Sequence, residues 1–384
     1  MEAYFDNSAT TKVLDSVKDI VVKTMTEDYG NPAAKHRRGM EAEQYIRDAK
    51  RILADTLKVQ EREILFTSGG SESNNMALIG TAWANKRAGK HIISTSIEHP
   101  SVYNPLGVLE ELGFEVTILP VDHDGHISLK ELEEAIRPDT ILVSTMYVNN
   151  EVGAVEPVEE ISNVIKTKNP STLYHVDAIQ AYGKYVIRPK KQGIDLLSVS
   201  GHKIHGPKGV GFLYIRSGVK IKPLIYGGGQ QAGLRSGTEN VPGAAGLGVA
   251  AKEMYTDHAA KIQKLTELKD YMTDRLGEIE GTVVNSKKGA DSAPQIVSVS
   301  FEGVRSEVLL HALEDKNIYV SSGSACSSNH PGISGTLKGI GVSQKLLDST
   351  IRMSFSLFNT KEEIDYTIDV LKELVPVLRR YQRG

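Results

Sequence analysis

A lysine, Lys203, stands where an apolar run gives way to a glycine-rich loop, in the stretch SVSGHKIHGPKGVG from Ser198 to Gly211. The residues Ile194-Asp195-Leu196-Leu197-Ser198-Val199 have strand character, and the turn after them presents Ser200, His202 and Lys203. Gly206, Pro207 and Gly209 predict turns before a second apolar run, Gly211 to Ile215. A lysine at such a strand end can face a cofactor pocket. With its pKa lowered by burial or by a neighbouring cation, its amine can form an imine with an aldehyde. A lone loop lysine is more often simply solvated, so its role depends on what the chain places around it.

Three other strand ends carry suggestive residues. Thr67-Ser68-Gly69-Gly70-Ser71 opens a predicted helix, where backbone N–H groups and the helix dipole favour an anion such as phosphate. No Gly-Lys-Ser follows, so this is not a Walker loop, and in isolation an N-cap at Ser71 explains it equally well. His99, before Pro100, could stack on an aromatic ring or cap a helix. Asp177 closes an otherwise apolar strand, where a carboxylate needs a partner, and a pyridinium nitrogen would serve. Taken with Lys203, these residues describe a site for an aromatic aldehyde carrying a phosphate, pyridoxal 5′-phosphate (PLP).

The elements that must position them alternate. Predicted strands Glu63–Thr67, His91–Thr95, Glu115–Leu119, Ile141–Met146, Leu173–Val176 and Leu196–Ser200 are separated by helical patterns, including one from Gly39 to Leu57 and one from Leu129 to Ile136. Gly211–Ile215 reads as hairpin-like. Alternating units of this length predict a largely parallel, doubly wound sheet with functional residues where strands end. After Gly227-Gly228-Gly229 the order changes. A glycine- and alanine-rich helix (243–254) and a long amphipathic one (259–279) precede strand Ile296–Phe301, helix Glu307–Glu314 and strand Tyr319–Ser321. A last helix opens at Thr360 with Glu363 three residues on, a capping box. This predicts a smaller α+β domain, joined by the N-terminal segment.

Composition narrows the function classes. The 384 residues suffice for a full α/β core and two domains. A net charge of −3 argues against a nucleic-acid surface as the main partner. No apolar run approaches the roughly 18 to 20 residues that span a bilayer, and no signal-peptide pattern opens the chain, so a cytoplasmic protein is expected. The single cysteine, Cys326, excludes an intramolecular disulfide and cysteine-based metal sites of the usual spacing. His123-Asp124-Gly125-His126 reads as a polar turn rather than a ligand set, so no metal is expected.

The longer motifs carry a resemblance. Ser200-Gly201-His202-Lys203 followed by Gly206-Pro207-Lys208-Gly209, with His175-Val176-Asp177-Ala178-Ile179-Gln180 upstream, resembles the class V aminotransferase superfamily of fold-type I PLP enzymes. Within it, Asn7-Ser8-Ala9-Thr10-Thr11, Arg235-Ser236-Gly237-Thr238-Glu239-Asn240 and Ser321-Ser322-Gly323-Ser324-Ala325-Cys326-Ser327 are similar to motifs of the NifS/IscS-type cysteine desulfurases. The resemblance covers essentially the whole chain. It implies a fold-type I PLP-dependent transferase with a large cofactor domain (14–257) and a small domain (1–13 with 258–384) carrying the cysteine loop. It also implies a homodimer, and as substrate L-cysteine, converted to L-alanine.

The resemblance assigns roles residue by residue. Lys203 would carry PLP and later move the Cα proton, Asp177 would pair with the pyridine nitrogen, and Gln180 would bond the phenolic oxygen. His99 would stack on the ring and act as acid and base. Gly70, Ser71, Ser200 and His202 would hold the phosphate, with Thr238 reaching in from the other subunit. Asn150 and Arg352 would bind the substrate carboxylate. Cys326 would take the sulfur as a persulfide and pass it to an acceptor protein, an iron–sulfur scaffold or a thiolation enzyme. Ser, Gly, Ala and Asn dominate residues 321–335, which predicts a solvent-reaching loop around Cys326. Gly70-Ser71 replaces the Ala-Thr common in this family's phosphate loop, and Gln230-Gln231-Ala232-Gly233 lacks the usual arginine. Rival readings are a selenocysteine lyase or another class V lyase or aminotransferase, and a non-catalytic sulfur-carrier subunit. The cysteine in Ser-Gly-Ser-Ala-Cys speaks against a transaminase, and the presence of lysine, aspartate and cysteine together speaks against the carrier.

Overall fold

The computed structural model describes residues 1–289, 292–322 and 334–381; Cys326 lies outside them. Its larger sheet has seven strands in the spatial order Ile64–Thr67, Gly211–Ile215, Leu196–Ser200, Leu173–Asp177, Thr140–Met146, His91–Thr95, Glu115–Leu119. The last five run parallel. Gly211–Ile215 is antiparallel to both of its neighbours, the hairpin partner its sequence suggested. Strands in the middle of this sheet such as HIIST, TILVSTM and LLSVS are buried along their whole length, as helices on both faces require. The edge strand Glu115–Leu119 keeps exposed positions.

Helices Arg37–Leu57 and Val241–Tyr255 pack closely on one face. The small residues of the second helix make this possible: a Cβ on Gly248 would sit 2.9 Å from the Cα of Ala49. The helix expected near Ser71 begins one residue earlier, at Gly70, and passes through a π-helical turn, Met76–Gly80, into Thr81–Asn85.

The second sheet is antiparallel, in the order Ser321–Ser322, Thr350–Ser354, Ile296–Phe301, Thr282–Val284. It packs Val299, Phe301, Ile351 and Met353 against Met272, Leu309, Ile364 and Leu371 of the helices beside it. Thr282–Val284 was not predicted, because three residues of mixed exposure show no period. The capping box at the last helix, Lys361–Tyr381, forms as expected: Glu363 N–H donates to Thr360 Oγ1 at 3.3 Å and Thr360 N–H to Glu363 Oε2 at 3.0 Å. The chain's start joins this region, since Ala3–Tyr4 pairs in parallel with Ile318–Tyr319. Among the described residues no helix is long and apolar enough to cross a membrane.

One buried carboxylate fixes the register of the two strands that matter most. Asp195, fully buried just before Leu196–Ser200, accepts from Tyr174 N–H at 2.8 Å and from Lys166 Nζ at 2.8 Å, and lies 2.7 Å from Arg216 Nη2. Removing it leaves two cations facing each other over a buried gap. Asp195→Ala is therefore expected to lower unfolding stability by about 3–5 kcal/mol, seen as a lower urea midpoint, whereas exposed Asp15→Ala should leave the midpoint nearly unchanged. Equal midpoints for the two variants would remove Asp195 from this role.

Candidate active site

The C-terminal ends of the parallel strands open onto a cavity of about 410 Å³. Strand geometry delivers its residues in sequence order: His99 after His91–Thr95, Asn150 after Thr140–Met146, Asp177 and Gln180 at the end of Leu173–Asp177, and Ser200, His202 and Lys203 after Leu196–Ser200. Gly70 and Ser71 line it from their helix start, and Arg352 from the second sheet. Ten of the twelve residues singled out in the sequence thus meet in one place. Thr238 does not line the cavity and is exposed. Cys326 lies outside the described residues.

Asp177 is buried, and desolvation raises its pKa against the pull of its hydrogen bonds and of His99 and Lys203. Its Oδ1 accepts from Ile179 N–H at 3.0 Å and its Oδ2 from Asn74 Nδ2 at 2.8 Å. Asn74 also donates to Ser101 Oγ at 2.8 Å, and that hydroxyl lies 2.8 Å from His99 Nδ1. Because His99 Nδ1 also accepts from Ser101 N–H at 3.1 Å while capping helix Pro100–Glu111, its proton belongs on Nε2. Burial pushes the His99 pKa down, so the ring is neutral at pH 7. Of the two readings the sequence left open for His99, the helix cap is realised, and the residue also lines the cavity.

The lysine is held by the chain's start. Lys203 Nζ donates to Ser8 O, and to Ala9 O at 2.7 Å. Gln180 Nε2 donates to the same Ser8 carbonyl at 3.0 Å, and Thr11 N–H and Oγ1 both donate to His202 O, at 2.9 and 2.8 Å. Behind the lysine, buried Lys184 donates to Lys203 O at 2.6 Å; burial and the Lys203 charge push its pKa down to about 7. Burial, then the charges of Lys203, Lys208 and Lys184, push the His202 pKa down to about 4, which keeps that ring neutral. Arg352 donates from Nη1 to Asn150 O at 2.8 Å and from Nη2 to Asp6 Oδ1 at 2.9 Å.

The group implied by the sequence fits these residues. A buried carboxylate whose pKa desolvation has raised is suited to a protonated ring nitrogen. Hydroxyls of Ser71 and Ser200 and the helix start at Gly70 stand where an anion is favoured. Sequence reasoning missed Asp6, Asn74 and Ser101, and it gave Ser8 and Ala9, quoted within a motif, no role of their own. Asn74 was recoverable, because a polar residue four positions into a predicted helix can face the same way as its start. The backbone acceptors of the N-terminal turn left no side-chain signal. The turn read at residues 123–126 forms, and Asp122 just before it accepts through Oδ1 from the N–H groups of Asp124 and His126, both at 2.9 Å.

Comparison with known proteins gives the family. A family model described as aminotransferase class-V matches residues 3–367. A protein of Methanosarcina thermophila named cysteine desulfurase IscS is 44% identical over 98% of this chain and 92% of its own length. One of the same name from Dictyoglomus turgidum is 41% identical over 98% of this chain and 95% of its own. Among solved structures, one titled NifS-like protein superposes with a TM-score of 0.93 at 39% identity, covering 98% of this chain and all of that one.

The departure at Gly70 has a local cause. A Cβ there would lie 2.2 Å from Ile179 Cδ1, and Ile179 lines the cavity. A methyl group at position 70 requires the end of the Ile179 side chain, which lines the cavity, to shift. Gly70→Ala is expected to weaken PLP binding about tenfold, and the pair Gly70→Ala/Ile179→Val to recover most of the loss. Dissociation constants from absorbance titration measure both; additive losses in the pair would break the link between the two positions.

Proposed function

The chain belongs to the class-V aminotransferase family and is a cysteine desulfurase, and on that premise we propose that it carries PLP on Lys203 and moves sulfur from L-cysteine to Cys326. It would work as a cytoplasmic homodimer. The observation that supports this reading is the meeting in one cavity of a buried carboxylate, a lysine amine and a guanidinium, Asp177, Lys203 and Arg352.

Bound there, PLP would supply an electron sink for the bonds at the substrate's Cα. The residues do the rest. Asp177 would hold the proton on the ring nitrogen, because its buried anion is stabilised by a cation against it. Gln180 would turn its second amide hydrogen to the phenolic oxygen. Gly70, Ser71, Ser200 and His202 would hold the phosphate, with Thr238 arriving from the partner subunit. Arg352 and Asn150 would fix the substrate carboxylate. Neutral His99 would lie against the ring and exchange a proton through Nε2, and the Lys203 amine would carry the proton at Cα.

The thiolate of Cys326 would attack the substrate's sulfur. A sulfur–sulfur bond forms, the carbon–sulfur bond breaks, and its electron pair stays with the substrate fragment, which takes up protons to leave as L-alanine. The persulfide on Cys326 would then go to an acceptor protein, an iron–sulfur scaffold or a thiolation enzyme. An unperturbed thiol is only a few per cent ionised at neutral pH, so this step needs an activated thiolate. The division into 14–257 and 1–13 with 258–384 belongs to the same proposal, with Cys326 delivered from the smaller part.

With L-cysteine and a reductant, the protein is expected to release sulfide and alanine one for one, and Cys326→Ala to lose desulfuration while keeping the visible band of lysine-bound cofactor. Turnover by that variant at the parent's rate would move the reading to selenocysteine chemistry. Lys203→Ala should bind PLP without the lysine-linked band; a band like the parent's would make Lys208 the anchor.

A further inference from the structure

The cavity contains a carboxylate to which the reaction above gives no part. The chain's start runs beside the strand Thr350–Ser354 and is fastened to its end. Ser354 N–H donates to Phe5 O at 2.6 Å, Asn7 Nδ2 donates to Ser354 O at 2.9 Å, and Ser8 N–H donates to Ser354 Oγ at 2.8 Å. These bonds bracket Asp6 and fix where its side chain starts. Its Oδ1 accepts from Arg352 Nη2 at 2.9 Å, and both residues line the cavity.

Arg352 is 5% exposed, and its Nη1 is already committed to Asn150 O. Its Nε is buried and has no hydrogen-bond partner among the described residues. A buried N–H without an acceptor is costly, and the α-carboxylate of an amino acid supplies one. The guanidinium is therefore held from two sides while its Nε–H still lacks an acceptor that a ligand could supply. The charges matter as much as the geometry. Asp6 already balances Arg352, so a bound substrate carboxylate brings the subsite to one net negative charge. A second anion on the substrate would add to it in a site where water screens poorly.

Resting on the desulfurase reading, we propose that Asp6 is a specificity-determining residue: it holds Arg352 by one edge for the substrate carboxylate and, by its own charge, disfavours amino acids with an acidic group on the β-carbon. L-cysteine passes because its thiol is mostly neutral at pH 7. L-cysteine sulfinate, of similar size and fully ionised, does not. Discrimination of this kind is a difference between two affinities, obtained here by repulsion of the wrong substrate.

The test compares alanine formation from L-cysteine and from L-cysteine sulfinate by the PLP-loaded parent and Asp6→Asn, which keeps a hydrogen-bond acceptor for Arg352 but removes the charge. The ratio of kcat/KM for sulfinate to that for cysteine is expected to rise about tenfold in the variant, chiefly through KM. An unchanged ratio, including an equal loss on both substrates, overturns the proposal. A second measurement needs no variant and no turnover. Butyrate and succinate, a monoanion and a dianion of similar length, are titrated against thermal unfolding of the parent. Butyrate should act at about tenfold lower concentration; equal or better stabilisation by succinate overturns the proposal. A parent that forms no alanine from L-cysteine while preferring butyrate would sink the desulfurase reading and leave the role of Asp6 standing.

Discussion

Burying Asp177 is the constraint on which the site depends. A carboxylate taken out of water is stable only if hydrogen bonds and a positive charge replace its hydration. Ile179 N–H and Asn74 supply the hydrogen bonds. They do not cancel the cost, since desolvation still raises the Asp177 pKa. What remains to be satisfied is a cation at the cavity's end of the carboxylate, and that requirement selects the chemistry. The bond network beyond it follows: Asn74 cannot serve Asp177 without a helix that begins at Gly70, and its other hydrogen ties Ser101 and His99 to the same carboxylate. A parallel sheet places all of these at one edge, because its strands end together.

The N-terminal turn is the second support, and it acts through backbone. Ser8 O receives both Lys203 and Gln180, Ala9 O receives Lys203 again, and Thr11 fastens the carbonyl of His202. A lysine amine surrounded by peptide carbonyls is oriented without being neutralised, which a carboxylate partner would have done. The same turn presents Asp6 to Arg352. Residues near opposite ends of the sequence thus set two cations of the cavity, Lys203 and Arg352, and the parallel pairing of Ala3–Tyr4 with Ile318–Tyr319 is what brings the chain's start there.

The legible part of this was the part written in side chains and periods. Alternation of apolar runs with amphipathic ones gave the parallel sheet, and Lys203, Asp177 and His99 stood out because each is a titratable residue at or just beyond the end of a predicted strand. The short strand Thr282–Val284 escaped because three half-exposed residues have no period to read. The carbonyls of Ser8 and Ala9 escaped for a deeper reason: every residue has one, so its use as an acceptor is set by where the chain passes and not by residue type. The helix start shows the same limit. Gly70 stands where the family's loop commonly has Ala; its φ needs no special freedom, and the structure sets Ile179 directly against the position.

Lys184 closes the electrostatic account. A lysine this deeply buried ordinarily pairs with a carboxylate, but among the described residues none forms a salt bridge with it, and its recorded hydrogen bond goes to Lys203 O. Desolvation and the Lys203 charge act on it in the same direction, toward the neutral amine, and bring its pKa to about 7. Repulsion between the two amines is mutual, so a proton on either disfavours one on the other. Lys184 is thus brought to give up its proton as pH rises through neutrality. The neutral Lys184 amine still has hydrogens to donate to the Lys203 carbonyl. The turn therefore stays fastened on both sides of that pH, and only the charge behind the lysine changes.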